Sequence, residues 1–166
     1  GVGTNQNYEF VAWAKSDIVF MLDFDQLIVD LHGVYEVAFL GAKTPDQFIQ
    51  FWSKRNEKSA RSTLRERFSE PKKLKQVLKA FKLARRATYG KLRRVKRRHA
   101  RKNITSYLND QTQYDYIVNL FRTGRVFPVR GDLTATTTMR RIAEELTRFK
   151  RHLGVIYVSN CEQYFA

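Results

Sequence analysis

The first twenty-five residues constrain the fold more than any other stretch. Gly1-Val2-Gly3 supplies a pair of turn-forming glycines, a short amphipathic run follows, and Ile18-Val19-Phe20-Met21-Leu22 is an apolar run ending at Asp23 and Asp25. A short apolar run bounded by polar residues is the pattern of a buried strand. The order is therefore glycine turn, helix, strand, which is half of a nucleotide-binding unit. A Gly-x-Gly turn lets backbone amides and a helix N-terminus face a ligand, and an acid ending the next strand accepts hydrogen bonds from a ribose. Asp23 lies 20 residues beyond Gly3, close to the spacing such units use. Asn5, Gln6 and Asn7 stand where a third glycine is usual, and the strand expected ahead of the turn is missing. The competing reading is a plain chain start with Asn5 or Asn7 capping the first helix.

Charge is the second constraint. Of the 31 Lys and Arg residues, fifteen lie between positions 72 and 102 with no acid among them, so the other 16 are balanced by the 16 Asp and Glu. The whole net charge of +15 therefore sits on one segment. Within it Leu74, Val77, Leu78, Phe81, Ala84, Leu92 and Val95 recur at helical spacing, which predicts a helix with one packing face and one cationic face. Gly90 is a candidate break. A face of this kind follows a phosphate backbone without reading sequence, and Arg85, Arg86, Arg93, Arg94, Arg97 and Arg98 are its candidate nucleic-acid contacts. A solvated charge run, or an arm held by an acidic subunit, is the bland alternative.

The rest of the chain alternates strand and helix signals. Residues 26–40 read as a core-facing helix in which Gly33 marks close packing; His32 and Glu36, one turn apart, read as a solvated face, with a polar pair near a site as the alternative. Thr44-Pro45-Asp46-Gln47 is a helix start, and a further short helix lies around Leu64 and Phe68. Asp110 caps a helix that stops at Gly124; residues 125–130 read as an edge strand because Pro128 withholds a donor. A helix from Thr137 to about Leu153 then leads through Gly154 to a last strand, 155–158. Three strands so placed end at Asp23 and Asp25, at Gly131 and Asp132, and at Ser159 and Asn160. In an open parallel sheet those ends share the edge where ligands bind. The expectation is one α/β domain over 1–166, a reduced or truncated Rossmann-like parallel sheet flanked by helices, with a basic helical insertion at 71–102.

Apolar content of 43% is enough for a real core. Because no apolar run approaches the length that spans a bilayer, the sequence predicts a soluble, cytoplasmic chain. The single cysteine, Cys161, excludes an internal disulfide and any multi-cysteine zinc site, and no metal site is expected.

Gly1 to Tyr8 and Tyr157 to Tyr164 also carry a family resemblance. With a Gly-Val-Gly-x-x-Gln-Asn-Tyr start and a Tyr-x-Ser-Asn-x-Glu-Gln-Tyr end, the chain resembles the class I S-adenosylmethionine-dependent methyltransferase superfamily, and more closely uncharacterised bacterial proteins of that type. The resemblance implies S-adenosylmethionine as cofactor. It implies Gly1 and Gly3 at the methionine portion, Asp23 or Asp25 at the ribose hydroxyls, Gly131 and Asp132 near adenine, and Ser159 and Asn160 beside the methyl acceptor. That family builds a seven-stranded sheet, so a partner chain completing the sheet is a further expectation.

Two other classes compete. Val19 to Asp25 resembles the strand and paired aspartates of haloacid-dehalogenase-like phosphatases, in which Asp23 would attack phosphorus, Asp25 would handle the proton and magnesium would neutralise charge. Alternatively the body only displays the cationic helix, as a toxin-like nucleic-acid-targeting effector domain delivered by a larger secreted protein.

Overall fold

The computed structural model describes residues 1–133 and 135–159. In chain order the elements are α1 (Gln6–Ala14), β1 (Val19–Asp23), α2 (Gln26–Gly41), α3 (Pro45–Phe51), α4 (Glu57–Arg67), α5 (Pro71–Arg101), α6 (Gln111–Arg122), β2 (Val126–Arg130) and α7 (Thr138–Arg148). The fold is α/β and mostly helical, around a small parallel sheet.

β1 and β2 pair in parallel, with Val19 opposite Val126 and Asp23 opposite Arg130. Pro128 sits opposite Met21 in β2, which has β1 on one side only among the described residues, so the missing donor falls at an edge as expected. On the other side of β1, Val2 forms a parallel bridge with Leu22. The Leu22 amide donates to the Gly1 carbonyl at 2.9 Å and the Gly1 nitrogen to the Phe20 carbonyl at 2.7 Å. Gly1 and Val2 thus stand where a strand ahead of the turn was thought missing. The Val2 amide in turn donates to the Tyr157 carbonyl at 2.8 Å.

Among the described residues, 155–158 do not form the third strand that the sequence predicts, and one backbone bond, to Val2, joins them to the sheet. A strand needs a ladder of alternating backbone bonds, and a single bond makes none. α7 ends at Arg148, five residues before the predicted stop. Lys150 takes a left-handed φ of 54° and the Arg151 amide closes back onto the Leu146 carbonyl at 2.9 Å, so the terminator is Lys150 and not Gly154.

Local signals placed the other helices well. Thr44 Oγ1 accepts from the Gln47 amide at 3.3 Å while Gln47 Oε1 accepts from the Lys43 amide at 2.8 Å. Asp110 Oδ1 accepts from the Gln113 amide at 2.8 Å, and Gly124 follows α6 with φ +66°. Asn5 of α1, like Asn56 of α4, Glu70 of α5 and Thr137 of α7, is an N-cap residue that makes no side-chain cap bond.

α2 is the hub, buried continuously from Val29 to Tyr35. Phe39 stacks on Phe48 with centroids 4.2 Å apart, Tyr8 meets Phe39 edge-on at 5.0 Å, and Tyr35 lies 4.8 Å from Trp52. A Cβ on Gly33 would stand 3.3 Å from Phe68 and 3.6 Å from Val77, so its absence lets α5 and the end of α4 close onto α2. α5 buries Val77, Ala80, Phe81 and Leu92 in that same core. It runs 31 residues without interruption through Gly90, whose cost of about 1 kcal/mol is outweighed by the burial of Thr88 and Leu92 beside it.

Candidate ligand edge and basic face

Parallel register carries the glycine turn to the end of β1. Because Val2 faces Leu22, Gly3 follows beside Asp23, and its amide lies near enough to favour the charged Asp23 carboxylate. The amide of Asp25 donates to Asp23 Oδ1, at 3.0 Å. Burial raises the Asp23 pKa above its ordinary value, and these amides hold it down in part. Asp25 is a different case. Its Oδ1 accepts from the Leu27 amide at 2.8 Å and caps α2, so of the two candidate carboxylates Asp25 has a structural task of its own.

The Gly131 amide donates to the Asp23 carbonyl at 3.0 Å, which brings the end of β2 to the same edge. A Cβ on Gly131 would lie 2.5 Å from Thr138 Cγ2 and 3.0 Å from Leu22 Cδ1. The Gly131 backbone therefore packs closely against α7 and β1. Asp132 follows it at the rim. Ser159, exposed and at φ 57°, stands two residues beyond the Tyr157 that bonds Val2; Asn160 and the rest of the Tyr157–Tyr164 stretch lie outside the described residues.

The glycine turn is braced from below by Asn7 and His32, to which the sequence reading gave other tasks. Asn7 Nδ2 donates to the carbonyls of Val2 at 3.0 Å and Gly3 at 3.2 Å. From α2, His32 Nε2 bonds the Gly3 carbonyl at 3.0 Å, and its Nδ1 bonds the Tyr8 hydroxyl at 2.8 Å. A carbonyl can only accept, so Nε2 carries the proton and Tyr8 donates to Nδ1. Burial pushes the His32 pKa down to about 4 and fixes the neutral imidazole. Read as solvated in the sequence, His32 is 1% exposed; the signal was its place inside a helix apolar on every side. Gly3 itself has φ +89°, and a Cβ there would meet nothing within 4 Å. The turn is rigid behind and open in front.

The basic face divides into two groups. Lys73 pairs with Asp30 at 2.7 Å, Arg85 with Glu57 at 3.3 Å and with the Trp52 carbonyl at 3.2 Å, and Lys96 with Asp46 at 2.6 Å. Arg85, a candidate nucleic-acid contact, is thus tied within the fold as well. Lys72, Lys75, Lys79, Lys82, Arg86, Arg93, Arg97 and Arg101 are exposed and recur every three or four residues, apart from one gap at Tyr89 and Gly90. They form a ladder about 44 Å long. Arg93 lies over the Tyr89 ring at 5.3 Å, and the exposed Arg94 and Arg98 flank the ladder.

A cavity of about 400 Å³ lies off this edge, between β1, α1, α7 and residues 154–158; Gly1 and Val2 reach it, whereas Gly3, Asp23 and Asp132 do not line it. No described helix is long and apolar enough to cross a membrane. In comparisons with known proteins, the model of a family described as a domain of unknown function, DUF7790, matches residues 1–166. No curated protein matches the chain.

Proposed function

We propose that this chain, which belongs to the DUF7790 family, holds an adenosine-type cofactor of the S-adenosylmethionine kind across its strand ends, and that α5 leads a nucleic acid to it. The reading rests on one observation: Val2 is paired with Leu22 of β1 on one side and with Tyr157 on the other. Across the two-stranded sheet and these two contacts, β2, β1, Gly1–Val2 and Tyr157 follow one another as 3-2-1-4 in chain numbering, which supports a Rossmann-like reading. The order reverses between Gly1–Val2 and Tyr157, and such a switch point is where nucleotide-type ligands sit.

The residues present fit the group. Gly3 offers open space where a side chain would stand, and the Asp23 carboxylate has lone pairs beyond those used by backbone amides, enough to accept from ribose hydroxyls. In this reading Gly3 takes the methionine portion, Asp23 the ribose and Asp132 the adenine, with Ser159 toward the acceptor. The cofactor supplies a methyl group activated on sulfonium sulfur. The chain's own part is to bind and orient, through a turn that His32 and Asn7 hold fixed. The Lys73–Asp30 pair sets the start of the α5 ladder near the start of α2, just beyond the Asp25 cap. The phosphatase alternative is less well supported, because the Asp25 it needs as proton carrier is occupied as a helix cap.

Calorimetry with S-adenosylhomocysteine tests the proposal. Wild type binds, Asp23→Asn loses at least tenfold in affinity, and Asp25→Asn costs stability of about 1 kcal/mol with affinity retained. Absence of binding by the wild type, or equal loss from the two substitutions, overturns it.

A further inference from the structure

Gly90 lies in the middle of α5, where glycine is the least favourable residue apart from proline. Gly33, inside α2, has a neighbour that uses its smallness, since a Cβ there would stand 3.3 Å from Phe68. Gly90 has none: it is exposed, and a Cβ on it would meet nothing within 4 Å. Its φ is not positive either, so neither packing among the described residues nor backbone conformation calls for a glycine. What glycine does supply is a bare stretch of main chain that another backbone can approach closely.

This bare stretch falls at the break in the ladder. Between Arg86 and Arg93 no cation stands on the outer line of α5, over about 10 Å of its axis. Lys91, also exposed, lies about 100° round the helix from Gly90, toward Glu9 of α1, whose carboxylate its charge favours. Arg86 stands about one turn before Gly90. Helical side chains lean toward the N-terminus, so Arg93 reaches back beside Gly90, and its guanidinium is held over the Tyr89 ring at 5.3 Å from the centroid.

A second element closes in at the same level. Arg85 donates to the Trp52 carbonyl at 3.2 Å and pairs with Glu57 at 3.3 Å, which fixes the turn between α3 and α4 against α5 little more than one turn before Gly90. Lys54 and Arg55 in that turn, and Lys58 at the start of α4, are exposed. Where α5 lacks a cation, its neighbour therefore brings three.

We propose that this break is a seat for one strand's sugar–phosphate backbone, which enters against the bare main chain at Gly90 with Arg86 and Arg93 on its phosphates and Lys54, Arg55 and Lys58 beside it. Resting on the reading that α5 carries a nucleic acid, the seat gives that track a register. An even row of cations holds a polyanion without preference for position and lets it slide. A notch that admits the backbone more closely than the positions on either side favours one place. The groups recognised are sugar and phosphate, so DNA and RNA duplexes both fit.

Gly90→Lys separates a seat from an even row. An even row gains a cation and binds more tightly, whereas a seat loses its space and binds more weakly. Labelled DNA and RNA duplexes are titrated by fluorescence anisotropy against wild type, Gly90→Lys, Gly90→Leu and a charge-matched control, Ala100→Lys, at an exposed position between Arg97 and Arg101. Both Gly90 variants are expected to melt about 2–4 °C higher, because a better helix former replaces glycine, and yet to bind at least tenfold more weakly. Ala100→Lys is expected to bind at least as tightly as wild type. Lys54→Gln with Lys58→Gln makes the slope of log affinity against log salt shallower by about 2. Either Gly90 variant binding as tightly as wild type, or an unchanged slope in the turn variant, overturns the seat and leaves the ladder in place. Binding of neither duplex by the wild type overturns the nucleic-acid reading itself.

Discussion

The separation of ladder from anchors on α5 has a quantitative consequence. Eight exposed cations lie along its outer face, while Lys73, Arg85 and Lys96 are tied to Asp30, Glu57 and Asp46. If all eight meet phosphates of a duplex, the slope of log affinity against log salt is about −7, and affinity falls about 10⁴-fold between 50 and 200 mM salt. Arg93→Gln with Arg97→Gln removes two contacts, so the slope becomes about −5. Lys73→Met is the control. Its partner Asp30 is 2% exposed, so the variant leaves a buried carboxylate short of its cation and melts earlier with the salt slope unchanged. Fluorescence anisotropy of a labelled duplex across a salt series reads both. A wild-type slope shallower than about −2, or an unchanged slope in the double variant, refutes the ladder as a phosphate track.

Two further outcomes follow from buried groups. His32, pushed down to about 4 in the fold against about 6.5 unfolded, charges first in the unfolded chain, so stability drains as pH falls from about 6.5 to 4, by about 3 kcal/mol in full. Glu9, raised by burial to about 6, works oppositely: its contribution is present below about pH 4.5 and lost as pH rises through 6. Urea titrations should therefore find the wild type nearly level between pH 6 and 5, and His32→Gln gaining stability as pH falls through that window; parallel curves would refute the assignment. Gly131→Ala should destabilise by about 1–3 kcal/mol through overpacking against Thr138, with S-adenosylhomocysteine affinity within threefold of wild type. A larger loss of affinity would give Gly131 a part in ligand binding.

What the sequence disclosed was local. Thr44, Asp110 and Gly124 mark helix ends through bonds reaching three or four residues, and their spacing alone announces them. Gly33 announced close packing because a glycine inside an apolar helix needs a neighbour to justify it. The ladder was visible as a periodicity, but its division was not. Which cations are spent depends on Asp46 and Glu57, which lie 50 and 28 positions from Lys96 and Arg85 along the chain. The run 155–158 shows the opposite failure, since its apolar pattern suits a strand but strand formation depends on the neighbour. His32 was hidden for a similar reason. Its partner is the carbonyl of Gly3, 29 residues earlier, and a backbone carbonyl leaves no trace in sequence.

α2 ties these features together. Asp25 at its start caps it directly beside Asp23, Asp30 one turn later holds Lys73 of α5, and His32 holds the Gly3 carbonyl. Asp30 and His32 are two residues apart and so point to different sides of the helix: one governs where the basic ladder begins, the other how the glycine turn is presented. Both are buried, and a group that is buried and bonded at fixed distance transmits position rather than charge. The helix at the centre of the core therefore sets the proposed ligand edge and the basic face in one frame. The aromatic packing of Tyr8, Tyr35 and Phe39 along it is what keeps that frame from yielding when either surface is loaded.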